Sequence, residues 1–236
     1  MCNVVYEDNH LLIVQKPPNL LTQGDATGDA CLLDMMKAYV KQKYQKPGEV
    51  YLGCVHRLDR PVGGLVALAR TGKAAARLSE QLRTHAMRRD YLAVVHGTPA
   101  PPTGTLTDWL LKDEATGNVL RVPGGTPGAQ QAVLHYTTLA AHDAPGRALL
   151  HIALETGRKH QIRVQLMGMG HPIVQDMRYG GGEAGEPIAL WGAALRLTHP
   201  TKGEPMVFTS RPQGKAFAAF DEAVDAFLRA QTGDSA

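Results

Sequence analysis

The chain is short of cysteine and has no long apolar run, and each shortage excludes a class of protein. Its three cysteines, Cys2, Cys31 and Cys54, are odd in number and widely spaced, which argues against a disulfide framework and against a zinc knuckle. No apolar span reaches the length of a membrane crossing, and no charged-then-apolar leader opens the sequence, so a cytoplasmic protein without a membrane partner is expected. No internal repeat, low-complexity tract, glycine-rich phosphate cradle or metal-ligand spacing stands out. The expectation is one domain over residues 1–236, with no metal and no cofactor, and monomeric. A net charge of +3 is compatible with an acidic partner and diagnostic of none.

What remains is an ordinary globular composition, 44% hydrophobic and 20% charged, long enough to bury a sizeable core. Short apolar runs at Leu11 to Val14, Tyr51 to Val55, Leu65 to Ala69, Tyr91 to His96, Ala132 to Leu139, Ala148 to Glu155 and Ile188 to Leu197 read as strands. Helical spacing marks Ala30 to Tyr44 and Ala216 to Leu228, and Thr71 is a plausible N-cap for a helix from Gly72 to Leu82. Tyr6 to Asn9 is turn-forming. Gly97 to Thr105, Pro123 to Gly128 and Gly180 to Pro187 read as loops.

Between two of these strands lies His56-Arg57-Leu58-Asp59-Arg60-Pro61-Val62-Gly63-Gly64. Proline and glycine break regular structure here and let other backbone or a ligand come close. Asp59, flanked by arginines, could serve as nucleophile, as base or as half of a structural ion pair, and local chemistry alone favours the ion pair. A second constellation, Glu155-Thr156-Gly157-Arg158-Lys159-His160-Gln161-Ile162-Arg163, closes a strand, turns, and enters a helix that carries Arg163 off its apolar face. In Gly170-His171-Pro172-Ile173-Val174-Gln175-Asp176, which leads to Tyr179-Gly180, His171 and Asp176 fit no common metal-ligand spacing. The cluster Arg83, His85, Arg88 and Arg89 is a solvated basic face or a phosphate contact, and salt dependence of binding separates the two.

Together these blocks resemble the RluA-type pseudouridine synthases, and the resemblance covers most of the chain. It rests on a strand ending in Lys16-Pro17, on His56-Arg57-Leu58-Asp59 with its double glycine, and on Arg89-Asp90-Tyr91 opening an apolar strand. The Thr156-Gly157-Arg158-Lys159-His160-Gln161-Ile162-Arg163 and Gly170-His171-Pro172 blocks complete it. It implies an α+β pseudouridine synthase fold: a mostly antiparallel mixed sheet with flanking helices and loops around a central RNA-binding cleft. It implies catalysis by Asp59, Tyr91 and Arg163, with Arg163 pairing with the Asp59 carboxylate and Tyr91 stacking on the target base. Substrate contacts are expected from Lys16, His56, Arg57, Arg158, His160 and Gln161, and the expected partner is structured RNA, ribosomal or transfer. Locally, Lys16 is a solvated strand end, His56 is as readily a loop-shaping residue as a phosphate contact, and Tyr91 is a core tyrosine. The start of the chain leaves no room for the small N-terminal RNA-binding domain of many relatives.

The family's usual Thr-Ser-Gly appears here as Val62-Gly63-Gly64, which takes away a hydroxyl pair. That departure favours a second possibility, a non-catalytic RNA-binding protein. A nucleoside or glycoside hydrolase is a third, and would need Asp176 or Glu155 as a second carboxylate to manage water.

Overall fold

The computed structural model describes residues 2–144, 146–180, 182 and 185–233. Its centre is the strand pair β2 (Leu11–Lys16) and β4 (Gly63–Ala69), which run antiparallel from Leu11 opposite Ala69 to Lys16 opposite Gly64. Their apolar residues are continuous because both faces are covered. Leu12, Val14, Val66 and Leu68 meet helix α1 (Leu32–Lys43) through Leu32, Met36 and Val40, while Leu11, Ile13, Leu65 and Ala67 pack with Leu78 of helix α2 (Gly72–Arg83). The Thr71 hydroxyl accepts from the Ala74 backbone N–H at 3.2 Å, the N-cap expected for α2.

Around this pair the sheet adds β1 (Asn3–Glu7), β3 (Gly53–Cys54), β5 (Arg88–His96), β6 (Thr103–Lys112), β7 (Val119–Val122), β8 (Gln130–His142), β9 (Arg147–Leu154), β10 (Leu190–Thr198) and β11 (Pro205–Thr209). The order is β1-β2-β4-β10-β5-β9-β8-β6-β7, with β3 on β4 and β11 on β10. Among the described residues the pairing of β4 with β10 is parallel and the other strand pairs are antiparallel. This is the mixed, mostly antiparallel α+β sheet that the sequence suggests. Helix α3 (Gln161–Gly168) packs on β6 and β7, and α4 (Lys215–Ala218) and α5 (Asp221–Thr232) follow at the C-terminal end.

Several expected boundaries move. The strand read over Tyr51 to Val55 shrinks to Gly53–Cys54, since Tyr51 is exposed. Tyr6 and Glu7 belong to β1, and the turn begins at Asp8, whose carboxylate accepts from the His10 and Leu11 N–H groups at 2.8 Å each. Thr103 and Thr105, read as loop, open β6, a strand whose alternating exposure shows one solvated face. The single helix over Ala216 to Leu228 is broken at Phe220, which leaves the helical conformation and sets its ring 4.7 Å from that of His142. The loop expected over Gly180 to Pro187 lies partly outside the described residues.

The Val62-Gly63-Gly64 departure has a packing cause. A β-carbon on Gly63 would sit 2.1 Å from a ring carbon of Trp191, a fully buried side chain on β10. Gly64 has φ +130°, and a β-carbon there would meet the Gly192 backbone N at 2.4 Å. The indole takes the space a side chain at position 63 would need. Gly63→Ala should therefore cost about 1–3 kcal/mol of stability through overpacking, read as a lowered urea midpoint. Trp191→Leu in the same chain should return part of that loss, and a Gly63→Ala protein as stable as the parent would refute the packing account.

Candidate active site

The β3–β4 connection is fixed from beneath. Thr22 Oγ1 donates to the Leu58 carbonyl at 2.8 Å and accepts from the Leu58 N–H at 3.2 Å. Lys16 reaches the same loop from the end of β2, donating through Nζ to the carbonyls of Pro17, Leu20 and Arg60 at 3.0, 2.7 and 3.1 Å. These three acceptors match the three protons of an ammonium. Burial pushes the Lys16 pKa down to about 7, against the opposing pull of the Asp59 charge. Lys16 is therefore neither a solvated strand end nor a group that faces a substrate; it ties the loop to β2.

His56 is also scaffolding. Its ring is buried and Nε2 accepts from the Ala67 N–H at 3.0 Å, so the imidazole is neutral, with its pKa pushed down to about 3 by burial and then by the Arg89 charge. A neutral, enclosed ring cannot serve as a cationic phosphate contact; of the two expectations for His56, loop shaping is the one its surroundings support. On this support Asp59 heads a turn closed by the Val62 N–H on the Asp59 carbonyl at 3.0 Å, with its side chain one quarter exposed.

Arg163 meets that carboxylate from α3. Its Nη1 lies 3.2 Å from Asp59 Oδ2, while Nε and Nη2 each bind Asp176 at 2.8 Å in a two-pronged pair. Burial would favour the neutral guanidine, but Asp176 and then Asp59 outweigh it and hold the Arg163 pKa above its ordinary value. Asp176 is itself buried, and its Oδ1 also accepts from the Arg178 and Tyr179 N–H groups at 3.0 and 3.2 Å. Asp176 is the site residue that sequence reasoning passed over. It was weighed as a metal ligand or as a hydrolase acid and is occupied as the anchor of Arg163; its place three residues before Tyr179 was the available signal. Asp176, buried and spent on Arg163, is not free to activate water as a hydrolase requires. Glu155 is exposed, with Oε1 2.6 Å from His135 Nε2.

His160 opens α3 in a left-handed conformation, φ +54°, a strained backbone for a residue with a β-carbon. Its Nδ1 lies 2.7 Å from the Tyr179 hydroxyl, which accepts from the Val119 N–H at 2.9 Å. The other ring nitrogen, Nε2, faces Asp59 Oδ2 at 4.0 Å. Burial leads in pushing the His160 pKa down to about 4, against the favourable field of Asp59. A neutral imidazole aimed at the carboxylate is the result.

Gln161 does not face a substrate. Its Oε1 accepts from the Thr156 hydroxyl at 2.7 Å and the Arg158 N–H at 3.0 Å, and its Nε2 donates to the Val133 carbonyl at 3.1 Å. It shapes the turn before α3. Tyr91 is 6% exposed and belongs to the main core, close enough to Asp59 for that charge to help raise its pKa, though burial is the larger cause. Arg57 and Arg158 are exposed and line the cleft, with Arg158 Nε held by the Gln131 carbonyl at 3.0 Å. The cleft encloses about 1250 Å³. Among its lining residues Arg57, Arg89, Arg158, Lys159 and Arg178 have no carboxylate partner among the described residues. The described residues contain no group of metal-ligating side chains and no helix long and apolar enough to cross a membrane.

Two measurements check this geometry. Asp176→Ala leaves the buried Arg163 charge with half its partners, and should cost about 3–5 kcal/mol in a denaturant titration. Adding Arg163→Met should recover much of that loss, and additive losses would contradict the coupling. The second concerns pH. His56 and His160 are neutral when folded, with pKa values lowered to about 3 and about 4, whereas the unfolded chain protonates both below about pH 6.5. The unfolded state thus binds more protons in this window, and stability should fall as pH drops from 6.5 toward 4. His56→Gln should flatten that slope, and an unchanged slope would show that His56 is not titrating on unfolding.

Comparison with known proteins follows the same lines. A sequence profile described as RNA pseudouridylate synthase matches residues 10–167. YhcT of Bacillus subtilis (strain 168), named an uncharacterized RNA pseudouridine synthase, is 34% identical over 207 residues, 87% of this chain and 67% of that protein. The tRNA pseudouridine synthase C of Pectobacterium carotovorum subsp. carotovorum is 31% identical over 229 residues, covering 89% of this chain and 59% of its own length. The chain thus spans some two thirds or less of these relatives. The solved structure of human RNA pseudouridylate synthase domain containing 4 shares the fold, with a TM-score of 0.74 at 23% identity over 96% of this chain and 93% of that one. With its Asp59, Arg163 and Asp176 joined in one cleft, the chain belongs to the RNA pseudouridylate synthase family, in the RluA-type branch that its motifs resemble.

Proposed function

We propose that this protein converts uridine to pseudouridine in structured RNA, ribosomal or transfer, with Asp59 as the attacking carboxylate. The observation that carries the proposal is the 3.2 Å contact of Arg163 with Asp59 inside a cleft edged by unpaired cations. Isomerisation breaks the N1–C1′ bond of the nucleoside, turns the freed uracil, and joins C5 to C1′. The C5 proton leaves and N1 gains one, so no oxidant, reductant or co-substrate is consumed. Positive character develops at the anomeric carbon as the first bond breaks, and a carboxylate can capture or stabilise it. Asp59 suits that task because Arg163 holds its carboxylate in place at 3.2 Å while a quarter of the side chain stays open to the cleft.

The base must leave its stack to reach this depth, at a cost of roughly a few kcal/mol. Arg57, exposed and unpaired two residues before Asp59, is placed to fill the vacated stack or hold the everted nucleotide with its planar guanidinium. Tyr91, buried within reach of the Asp59 charge, is the residue we assign to stacking on the delivered base. The name of the Pectobacterium relative, a transfer RNA enzyme, supports a nucleic-acid substrate of this class. Trp191 accounts for the glycine at 63 by packing, which weakens the motive for the non-catalytic alternative at that position.

Purified protein incubated with ribosomal and transfer RNA should yield pseudouridine, resolved from uridine by nucleoside chromatography because the change is mass-silent. Asp59→Asn should keep the fold and RNA binding and form none; product at the parental rate from that variant would remove the assignment. Release of free uracil would instead establish a hydrolase.

A further inference from the structure

Arg89 lines the cleft with a buried Nε that has no hydrogen-bond partner among the described residues. It lies on β5 two residues before Tyr91, so the two side chains share a face of the sheet. Its neighbour Asp90 points to the other face and is engaged there by His151 at 2.7 Å and Arg196 at 3.0 Å. That leaves Arg89 without a carboxylate among the described residues. Nε is closed to any outside partner, so a ligand of this guanidinium must reach its remaining N–H groups from the cleft that Arg89 lines.

The Thr156-Gly157-Arg158 turn is built around this group. A β-carbon on Gly157 would come within 2.7 Å of Arg89 Nη1 and 3.3 Å of Nη2. Gly157 thus provides the room in which the guanidinium lies against the turn, with its edge still lining the cleft. The same charge is felt by His56, where it adds to the lowering by burial, and by Tyr91, where it opposes the rise that burial causes.

We propose that Arg89 is a phosphate receptor inside the cleft, taking a phosphodiester of the nucleotide whose base is delivered to Asp59. This rests on the RNA reading above and adds to it a specific anchor. A forked guanidinium gives a phosphate two parallel hydrogen bonds, so it fixes the sugar in orientation as well as in place. Exposed arginines on the rim would attract RNA without that constraint. The acceptor is a backbone phosphate, so the contact carries no base preference.

The test uses a twelve-nucleotide oligouridylate, whose bases are unpaired and need no eversion, with fluorescence anisotropy over 50 to 400 mM KCl. Each phosphate contact in a single strand contributes about 0.7 to the slope of log affinity against log salt. Arg89→Met should lower affinity roughly tenfold and flatten the slope by about that amount. Arg89→Lys should restore the slope while recovering only part of the affinity. Arg229→Met, on α5 outside the cleft, controls for net charge and should leave the slope unchanged. Thermal melting of each variant accompanies the titrations. A lower melting temperature in Arg89→Met with an unaltered salt slope would make Arg89 structural and overturn the proposal. The parent protein's pseudouridine yield is measured separately, so failure of the isomerase reading shows as absent product whatever the slopes do.

Discussion

Arg163 is held by two carboxylates that cannot replace each other. Burying a guanidinium costs several kcal/mol, which only matched partners can offset. Asp176 uses both oxygens on one edge of the fork, so the remaining nitrogen has one direction left, toward Asp59. The angle at which the catalytic candidate meets its partner is thus set by a residue 117 positions away in the chain, itself pinned by the N–H groups of Arg178 and Tyr179. The left-handed backbone at His160 belongs to the same constraint. α3 must begin abruptly for its first turn to bring Arg163 to Asp59, and the strain of that start is balanced by the Tyr179 and Gln161 hydrogen bonds around it.

Much of this was legible in the sequence. Strand pairs with both faces covered announce themselves as continuous apolar runs, which is why β2, β4, β5 and β10 were visible from residue types alone. β6 and β7 were not, because a strand with one solvated face and threonine, glycine and aspartate along it has the composition of a loop. The meeting of Asp59 and Arg163 was anticipated from family motifs, not from spacing, since residues so far apart leave no local trace of contact. Partner counts are the part a sequence does not carry. Lys16, His56 and Gln161 are polar residues in recognisable motifs, and only the fold reveals that Lys16 Nζ, His56 Nε2 and the Gln161 amide are engaged by backbone groups.

That expenditure has a functional sense. A loop that carries a reacting carboxylate has few hydrogen bonds of its own, and in its place the Asp59 loop is tied to β2 by Lys16, to the 22 region by Thr22, and to β4 by His56. The bonds run to loop carbonyls and amides, so they fix the backbone without competing for the Asp59 side chain. Pre-set geometry of this kind spares the reacting group from reorganising when a substrate arrives. The replacement of the family's hydroxyl pair by Val62 and Gly63 fits the same pattern. Trp191 packs where a side chain at position 63 would stand, at the root of the loop.

The division between engaged and free cations then separates two tasks. Arg163 is saturated by protein carboxylates and lies 5% exposed, so it can tune Asp59 but has little left for RNA. Arg57, Arg158, Lys159 and Arg178 stand around the opening without carboxylates among the described residues, and their field offsets the charges of Asp59 and Asp176 that would otherwise repel a polyanion. A site with only the first kind would present carboxylates that nucleic acid avoids. A site with only the second would attract a polyanion to a cleft with no carboxylate held in place. The split of guanidinium groups between a buried clamp and an open rim lets this sequence carry a positioned Asp59 in a cleft that a polyanion can enter.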